Sequence, residues 1–360
     1  IMTILDRYIS REFIRIFFLV IVSFLSLYLI IDFFERIRMF LSNNASFYQI
    51  ASYFFFKIPA IVSQTMPATV LLSSLLTFGM LSKHSEIVAM KSNGVSLYRT
   101  SLPVIVISVM VCIFTFLLNE FITPYANQKA EYIKLIEVQK RKKLGSFKQD
   151  QMWYRSKDAI YNFNIFDPKT NTLKGIAINY LDRDFRLSMR IDAKTAKWKD
   201  EKWVFHNLLI TKFPDGDFPT IERFTSKVID IPEEPSDFKV IQKGAEEMGY
   251  LELKNYIKKV RSEGYDATRY LADMHGKIAF PLVSIILAII GISFSLRSER
   301  SGGIAQSIGA GIIIGFSYWV VFAFAISLGR SGAMPPLLAA WIANIVLGIA
   351  ATVMFLHVRT

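Results

Sequence analysis

Hydrophobic and polar positions along this chain segregate on a coarse scale. Long apolar runs fill Ile16–Phe34, about Tyr53–Leu81, about Leu102–Phe121, Ile278–Leu296, Ile304–Leu328 and Pro335–His357. Each has about the length needed to cross ~30 Å of hydrocarbon as a helix. The first is too long for a signal-peptide core, and no small-residue cleavage site follows it. Met2, preceded by Ile1, is expected as the initiator, and Arg7, Arg11 and Arg15 make the first residues a short amphipathic lead-in. Pro59 and Pro67 are expected to kink the second span or break its first half, and Pro124 to close the third.

Between residues 124 and 270 the pattern changes. A charged helical segment, Tyr125–Lys143, leads into short runs with strand character: Met152–Tyr154, Ala159–Phe166, Leu173–Tyr180, Phe185–Trp198, Trp203–Phe213 and Phe218–Ile231. Turn signals such as Asp167-Pro168, Asp182-Arg183-Asp184 and Pro214-Asp215-Gly216-Asp217 separate them. Regular short strands of this kind predict a β-sandwich or an open, barrel-like domain. A second helical segment, Tyr250–Ser262, returns the chain to the membrane. The fold class is therefore an α-helical membrane protein with six transmembrane helices, three plus three, around an inserted β domain.

Composition sharpens this picture. Of 360 residues, 52% are hydrophobic, and the net charge is +12. A basic surplus suggests nucleic acid in a soluble protein; in a membrane protein it reflects cations at the cytoplasmic ends of spans and the pull of anionic headgroups. No nucleic-acid partner is expected. The single cysteine, Cys112, lies in an apolar run and can form neither an intrachain disulfide nor a cysteine-rich metal site. With the N-terminus inside, the cytoplasmic short loops hold Arg7, Arg11, Arg15, Lys83, Lys91, Arg99, Arg297, Arg300 and Arg359. The opposite side holds Arg36, Arg38 and Arg330. The bias places both termini in the cytoplasm and the β insert outside.

Three stretches carry candidate function. The loop after the second span, Gly79 to Gly94, reads as a short amphipathic helix near 82–94, with Ser82 or Ser85 as N-cap, Glu86 at the positive end of the helix dipole and Asn93-Gly94 as its stop. It fits a helix lying on the headgroups, and also a docking element for a cytoplasmic partner. In the fifth span Gly303, Ser307, Gly311 and Gly315 recur every four residues. Such a smooth face suits fixed packing within the subunit or a contact that opens and closes. Arg36 and Arg38, at the outer end of the first span, suit interfacial snorkelling or a clamp for a phosphorylated lipid. No G-x-x-x-x-G-K-[ST] loop and no G-x-S-x-G elbow occurs, and the four histidines are far apart. Asp32, Glu120 and Asp273 fall at span ends, which disfavours a proton relay; Glu120 is expected to anchor the chain beside Pro124.

Several short motifs point to a family. These are Leu5-Asp6-Arg7-Tyr8-Ile9, Gly79-Met80-Leu81 with Ser85-Glu86-Ile87-Val88, Gly264-Tyr265-Asp266-Ala267 with Arg269-Tyr270, and Lys277-Ile278 with Pro281-Leu282. With the three-plus-three topology they resemble the inner-membrane permease subunits of the lipopolysaccharide exporter, the LptF/LptG family, over essentially the whole chain. The opening Leu-Asp-Arg-Tyr and the Asp-Ala-x-Arg-Tyr run look more like the LptG branch. The resemblance implies a non-catalytic half that pairs with an LptF-like half, an LptB-like ATPase dimer, an LptC-like single-span periplasmic protein and a periplasmic bridge protein. Lipopolysaccharide would be the cargo, and ATP and magnesium would bind the ATPase rather than this chain. It also implies that the insert is a periplasmic β-jellyroll and that the first and fifth spans line lateral gates, with Gly303, Ser307, Gly311 and Gly315 on the latter. Residues 82–94 become a coupling helix, with Glu86, Ser85, Ile87, Val88 and Met90 engaging the ATPase. Arg38 matches a basic family position; Asp32 stands where a family lysine is expected, which moves the clamp toward Arg36.

The domain reading is residues 1–123 for the first three spans, 124–270 for the insert with its flanking helices, and 271–360 for the last three spans. Two other functions fit parts of the pattern: a mechanotransmission permease of another ABC exporter, typically with four spans, and a non-transporting periplasmic assembly or sensor protein anchored by helices.

Overall fold

The structure is a computed structural model. It describes residues 3–140, 146–148, 151–155, 159–167, 170–182, 186–199, 202–214, 218–231, 234–235, 244–262, 266–297 and 304–357. The chain divides into two compact units, Ile1–Lys140 with Ala245–Thr360, and Arg141–Gly244.

The first unit is helical. Six of its helices are long and apolar enough to cross a membrane. Helix α1 (Ile4–Ser42) starts with a capping box in which Thr3 and Asp6 satisfy each other's backbone N–H groups. Its 39 residues extend ~58 Å at 1.5 Å per residue, well beyond a hydrocarbon core. Helix α2 (Phe47–Lys83) opens on a second capping box, Ser46 with Gln49. It continues through Pro59 and Pro67 instead of breaking there. Packed neighbours make such prolines tolerable inside a membrane.

After the short helix α3 (Glu86–Ser92) the chain enters α4, a continuous helical stretch, Leu97–Val138, capped by Ser96. Pro124 does not end it. Residues Leu118–Ile122 form a π-helical turn in which the Thr123 N–H donates to the Leu118 carbonyl five residues back. This change of register lets the ladder resume past a residue that has no N–H to give. A second π segment, Ile133–Val138, closes the helix. Helices α5 (Tyr250–Ser262), α6 (Thr268–Arg297), α7 (Ile304–Ser331) and α8 (Pro336–Leu356) follow the insert.

Helices α2 and α6 form the centre of this unit. Their most apolar windows are each 61% buried, against 11% in α1 and 22% in α7. They approach closely where Gly291 faces α2, since a Cβ there would lie 2.9 Å from both the Leu71 carbonyl and the Ser74 Cβ. Helix α2 packs on α1, α6 and α7, and α6 also packs on α4, α7 and α8. Helices α1 and α7 are left with broad apolar faces outward.

Among the described residues the second unit is one antiparallel sheet of seven strands in sequence order, β1 (Ser146–Lys148), β2 (Gln151–Arg155), β3 (Ala159–Asp167), β4 (Thr172–Leu181), β5 (Leu187–Lys199), β6 (Lys202–Lys212) and β7 (Thr220–Ile229). Six of these match the expected strand runs, and β1 is additional. Its core joins Phe166, Ile178, Ala196, Trp203 and Phe205, all fully buried, with Ile231. A sheet alternates faces every second residue. Here the buried residues step by three at one level in four neighbouring strands: Phe163 to Phe166, Leu173 to Ile176, Ala193 to Ala196 and Phe205 to Leu208. These steps are in register, because Phe163 pairs with Ile176, Ala193 with Ile176, and Ala193 with Leu208. The rung between them holds Asn164, Gly175, Lys194 and Asn207, with positive φ at Gly175 and Asn207. An aligned row of irregularities creases the sheet in the manner of repeated bulges.

The flanking helical stretches 124–140 and 245–262 belong to the helical unit rather than to the sheet. That boundary is narrower than the sequence-based one, because α4 runs on unbroken past Pro124.

Candidate functional site

The loop between α2 and α4 carries α3 on a built seat. Ser85 takes a left-handed conformation, φ 57°, and its side chain makes no capping bond, contrary to the cap expected for it. An N-cap normally has an extended backbone, which Ser85 does not adopt. The stop is as expected: Gly94 has φ +78°, and the Val95 N–H reaches back to the Met90 carbonyl at 3.0 Å.

Ile87 is 3% exposed. It sits in a cluster with Ile9 and Phe13 of α1, Phe78 and Leu81 of α2, Leu97 and Val104 of α4, and Ile292 and Leu296 of α6. Its expected place on a partner-facing surface is corrected: it is the plug that holds α3 to the bundle. Val88 is 56% exposed, Glu86 and Met90 are half-buried, and Lys91 is exposed. The Met90 sulfur lies 4.0 Å from the Thr100 hydroxyl of α4. The Glu86 carboxylate stands beside the Tyr8 hydroxyl of α1. Arg99 of α4 donates to Asp6 of α1 at 2.7 Å. The start of α1, α3 and the start of α4 thus form one knit corner.

At the far end of α1, Asp32 is buried and accepts from Arg36 at 2.6 Å, one turn on. The Arg36 guanidinium also lies 5.8 Å from the Tyr53 ring centre, and Lys57 approaches the same ring. Asp32, Arg36 and Lys57 border a cavity of about 460 Å³, which Gln64, Glu131, Lys134, Glu246 and Glu247 also line. Its cations are matched by carboxylates, and Lys134 itself pairs with Glu131 at 2.8 Å. Arg38 stays outside, exposed, with no ion-pair partner among the described residues. The structure therefore separates the two arginines. Sequence reasoning missed Lys57 and Lys134; Lys57 was visible as a lone cation within an apolar run.

Helix α7 places Gly311 and Gly315 on α2. A Cβ at Gly311 would meet Leu75 at 2.5 Å, and one at Gly315 would meet Leu71 at 3.6 Å. The described part of the stripe is thus a contact within the chain. Gly303 and the side chain of Ser307 lie outside the described residues. The outward face of α7 shows Ile312, Ile313, Phe316, Val320 and Phe324 instead.

Glu120 anchors the chain, but at α5. From the π turn of α4 its carboxylate receives the backbone N–H groups of Tyr250 and, at 3.1 Å, Leu251. Asn127 and Gln128 donate to the Glu246 and Glu247 carbonyls at 3.1 and 2.7 Å.

With this geometry in view, the comparisons with known proteins agree with one another. A family model described as lipopolysaccharide export system permease LptF/LptG matches residues 7–357. The chain is 25% identical over 343 residues to the lipopolysaccharide export system permease protein LptG of Escherichia coli strain K12, covering 94% of this chain and 93% of the relative. It is 23% identical over 320 residues to the protein of the same description from Haemophilus influenzae, covering 88% of each.

Proposed function

The chain belongs to the LptF/LptG family of lipopolysaccharide export permeases, and from that premise we propose that it is the LptG-like half of an ATP-driven exporter in the bacterial inner membrane. It pairs with an LptF-like half and an LptB-like ATPase dimer, and works with an LptC-like single-span protein and a periplasmic bridge. It extracts lipopolysaccharide from the membrane. ATP and magnesium act on the ATPase, and this chain is non-catalytic. Both termini and α3 face the cytoplasm, and the sheet unit is periplasmic.

The observation that carries this reading is the seat of α3. A connector lying on headgroups would rest on lipid. Here Ile87 is plugged among four helices while Val88 and Lys91 point away. Burying an isoleucine stabilises by ~1.5–3 kcal/mol, so a push on the outward face of α3 moves α1 and α4 before it unseats the helix. The apolar window of α1 is only 11% buried within the chain, so most of it faces outward. Force delivered at α3 thereby reaches a lipid-facing helix. Arg38, exposed at the other end of that helix and without an ion-pair partner among the described residues, would meet a lipid phosphate.

The span count favours this reading over a mechanotransmission permease, whose usual number is four. Reconstitution tests it. The chain reconstituted with the LptF-like half, the ATPase dimer and the LptC-like protein should release lipopolysaccharide to the periplasmic bridge protein in an ATP-dependent manner, and omission of this chain should abolish release. Undiminished release without it would refute the proposal.

A further inference from the structure

Along its C-terminal half α7 is keyed into α6 and α8. The Tyr318 hydroxyl donates to Asn344 Oδ1 at 3.1 Å, and Asn344 Nδ2 donates to the Ala279 carbonyl at 2.6 Å. One amide, 4% exposed, thus joins three helices. One turn on, the Phe322 ring lies 5.5 Å from that of Phe280. Next, Ile326 packs with Ala279 and Ala340, over Gly276. A Cβ at Gly329 would lie 2.6 Å from the Ala339 Cβ and 3.2 Å from that of Ala272. Arg330 then closes the series with an ion pair to Asp273 at 2.6 Å.

The N-terminal half of α7 is held differently. Gly311 and Gly315 lie on Leu71, Leu72 and Leu75 of α2, and among the described residues no hydrogen bond or ion pair joins α7 to α2. Separating α7 from α6 and α8 would leave the buried Asn344 Oδ1 without its donor and break the ion pair of the buried Asp273 carboxylate, which is costly. The contacts of α7 with α2 are dispersion contacts, whereas α6 is tied to α2 by the Ser295 hydroxyl, which donates to the Leu75 carbonyl at 3.2 Å.

We infer that Asn344 and Asp273 position α7 so that it stays joined to α6 and α8 as one body, and that the lipid path on this side opens without α7 parting from them. This rests on the reading of the chain as an exporter half with α7 beside the lipid path. Tyr318, Asn344, Asp273 and Arg330 are positioning residues; they act through α7.

The test is a reversible lock. Cys112→Ala removes the only native thiol, Ala272→Cys and Gly329→Cys supply the pair, and Ala339→Gly vacates the space the new side chain needs. The Cβ separation is close to that of a disulfide. A second lock, Asp273→Cys with Arg330→Cys joined by a short bismaleimide, guards against misfolding of the first. The locked exporter should release lipopolysaccharide at the rate of its unlocked background, with reductant making no difference to the disulfide form. Introducing Asn344→Leu should slow formation of the disulfide. A pair that does not crosslink, release that is lost on oxidation and regained on reduction, or crosslinking indifferent to Asn344→Leu would each overturn the inference. An unlocked background without release counts instead against the export reading.

Discussion

Glu120 and Gly249 meet across the gap between α4 and α5: a Cβ on residue 249 would lie 2.8 Å from the Glu120 carbonyl oxygen and 3.0 Å from its carboxylate. The absence of a side chain lets the carboxylate reach the first N–H groups of α5. A carboxylate there satisfies donors that have no partner inside the helix and faces the positive end of its dipole.

Glu120→Ala should therefore destabilise the protein by ~0.5–2 kcal/mol, the usual cost of losing a helix cap. Gly249→Ala should cost more, and should still do so in the Glu120→Ala background, because its closest clash is with backbone. Thermal unfolding of the purified complex in detergent checks both. A Gly249→Ala variant as stable as the parent would remove the close approach from the argument.

The two arginines at the far end of α1 should separate in their effects. Arg36 neutralises a carboxylate whose side chain is 9% exposed, while Arg36 itself is 31% exposed. Arg36→Ala should cost ~1–3 kcal/mol, between the values for exposed and fully buried pairs. Arg38→Glu should leave stability unchanged and weaken photo-crosslinking of lipopolysaccharide, because it turns attraction for phosphate into repulsion. If Arg38→Glu crosslinks lipid like the parent, Arg38 is only an interfacial anchor.

Much of this architecture was legible in the sequence, for reasons particular residues illustrate. Runs such as Leu102–Phe121 announce spans because lipid tolerates little else. The end of that run was not legible: Pro124 is a stop in water, but the π turn at Leu118–Ile122 absorbs it. Ser85 has the right chemistry for a cap and the wrong backbone, which depends on the turn before it. Ile87 shares a short motif with Glu86, and α3 has only seven residues, too few for an apolar period to tell its two faces apart. The three-residue steps at Phe163/Phe166 and Phe205/Leu208 were present in the sequence, but their alignment requires the register. Lys57 and Lys134 come together only through the packing of α2 on α4.

Membrane sidedness is checked by labelling. On a Cys112→Ala background, Lys194→Cys and Ser331→Cys should react with an impermeant maleimide added to intact cells stripped of their outer membrane. Ser92→Cys should react only after the inner membrane is opened. All three replaced side chains are described, and Lys194, Ser331 and Ser92 are exposed. Reaction of Ser92→Cys in sealed cells would put α3 on the wrong side for an ATPase.

The neighbours Glu86 and Ile87 should fail in different ways. Glu86 is half-buried within this chain and adjoins the exposed Val88, so its carboxylate is available to a basic partner. Removing one member of an interfacial charge pair costs ~2–5 kcal/mol when the pair is desolvated, roughly a 30- to several-thousand-fold loss of affinity; an exposed pair is worth only ~0–1 kcal/mol. Glu86→Lys should therefore lose the ATPase on copurification, whereas Lys91→Ala should not. Ile87 is buried within this chain, 3% exposed. Ile87→Ala hollows the seat at a cost of ~2–5 kcal/mol and loosens α3 from α1 and α4. It should keep the ATPase bound and hydrolysing while lipid release falls, because the push no longer reaches the helices. Copurification and release measured side by side separate the two: anchor lost in one variant, transmission lost in the other. If Glu86→Lys copurifies fully and transports normally, α3 is a connector and the coupling assignment is wrong.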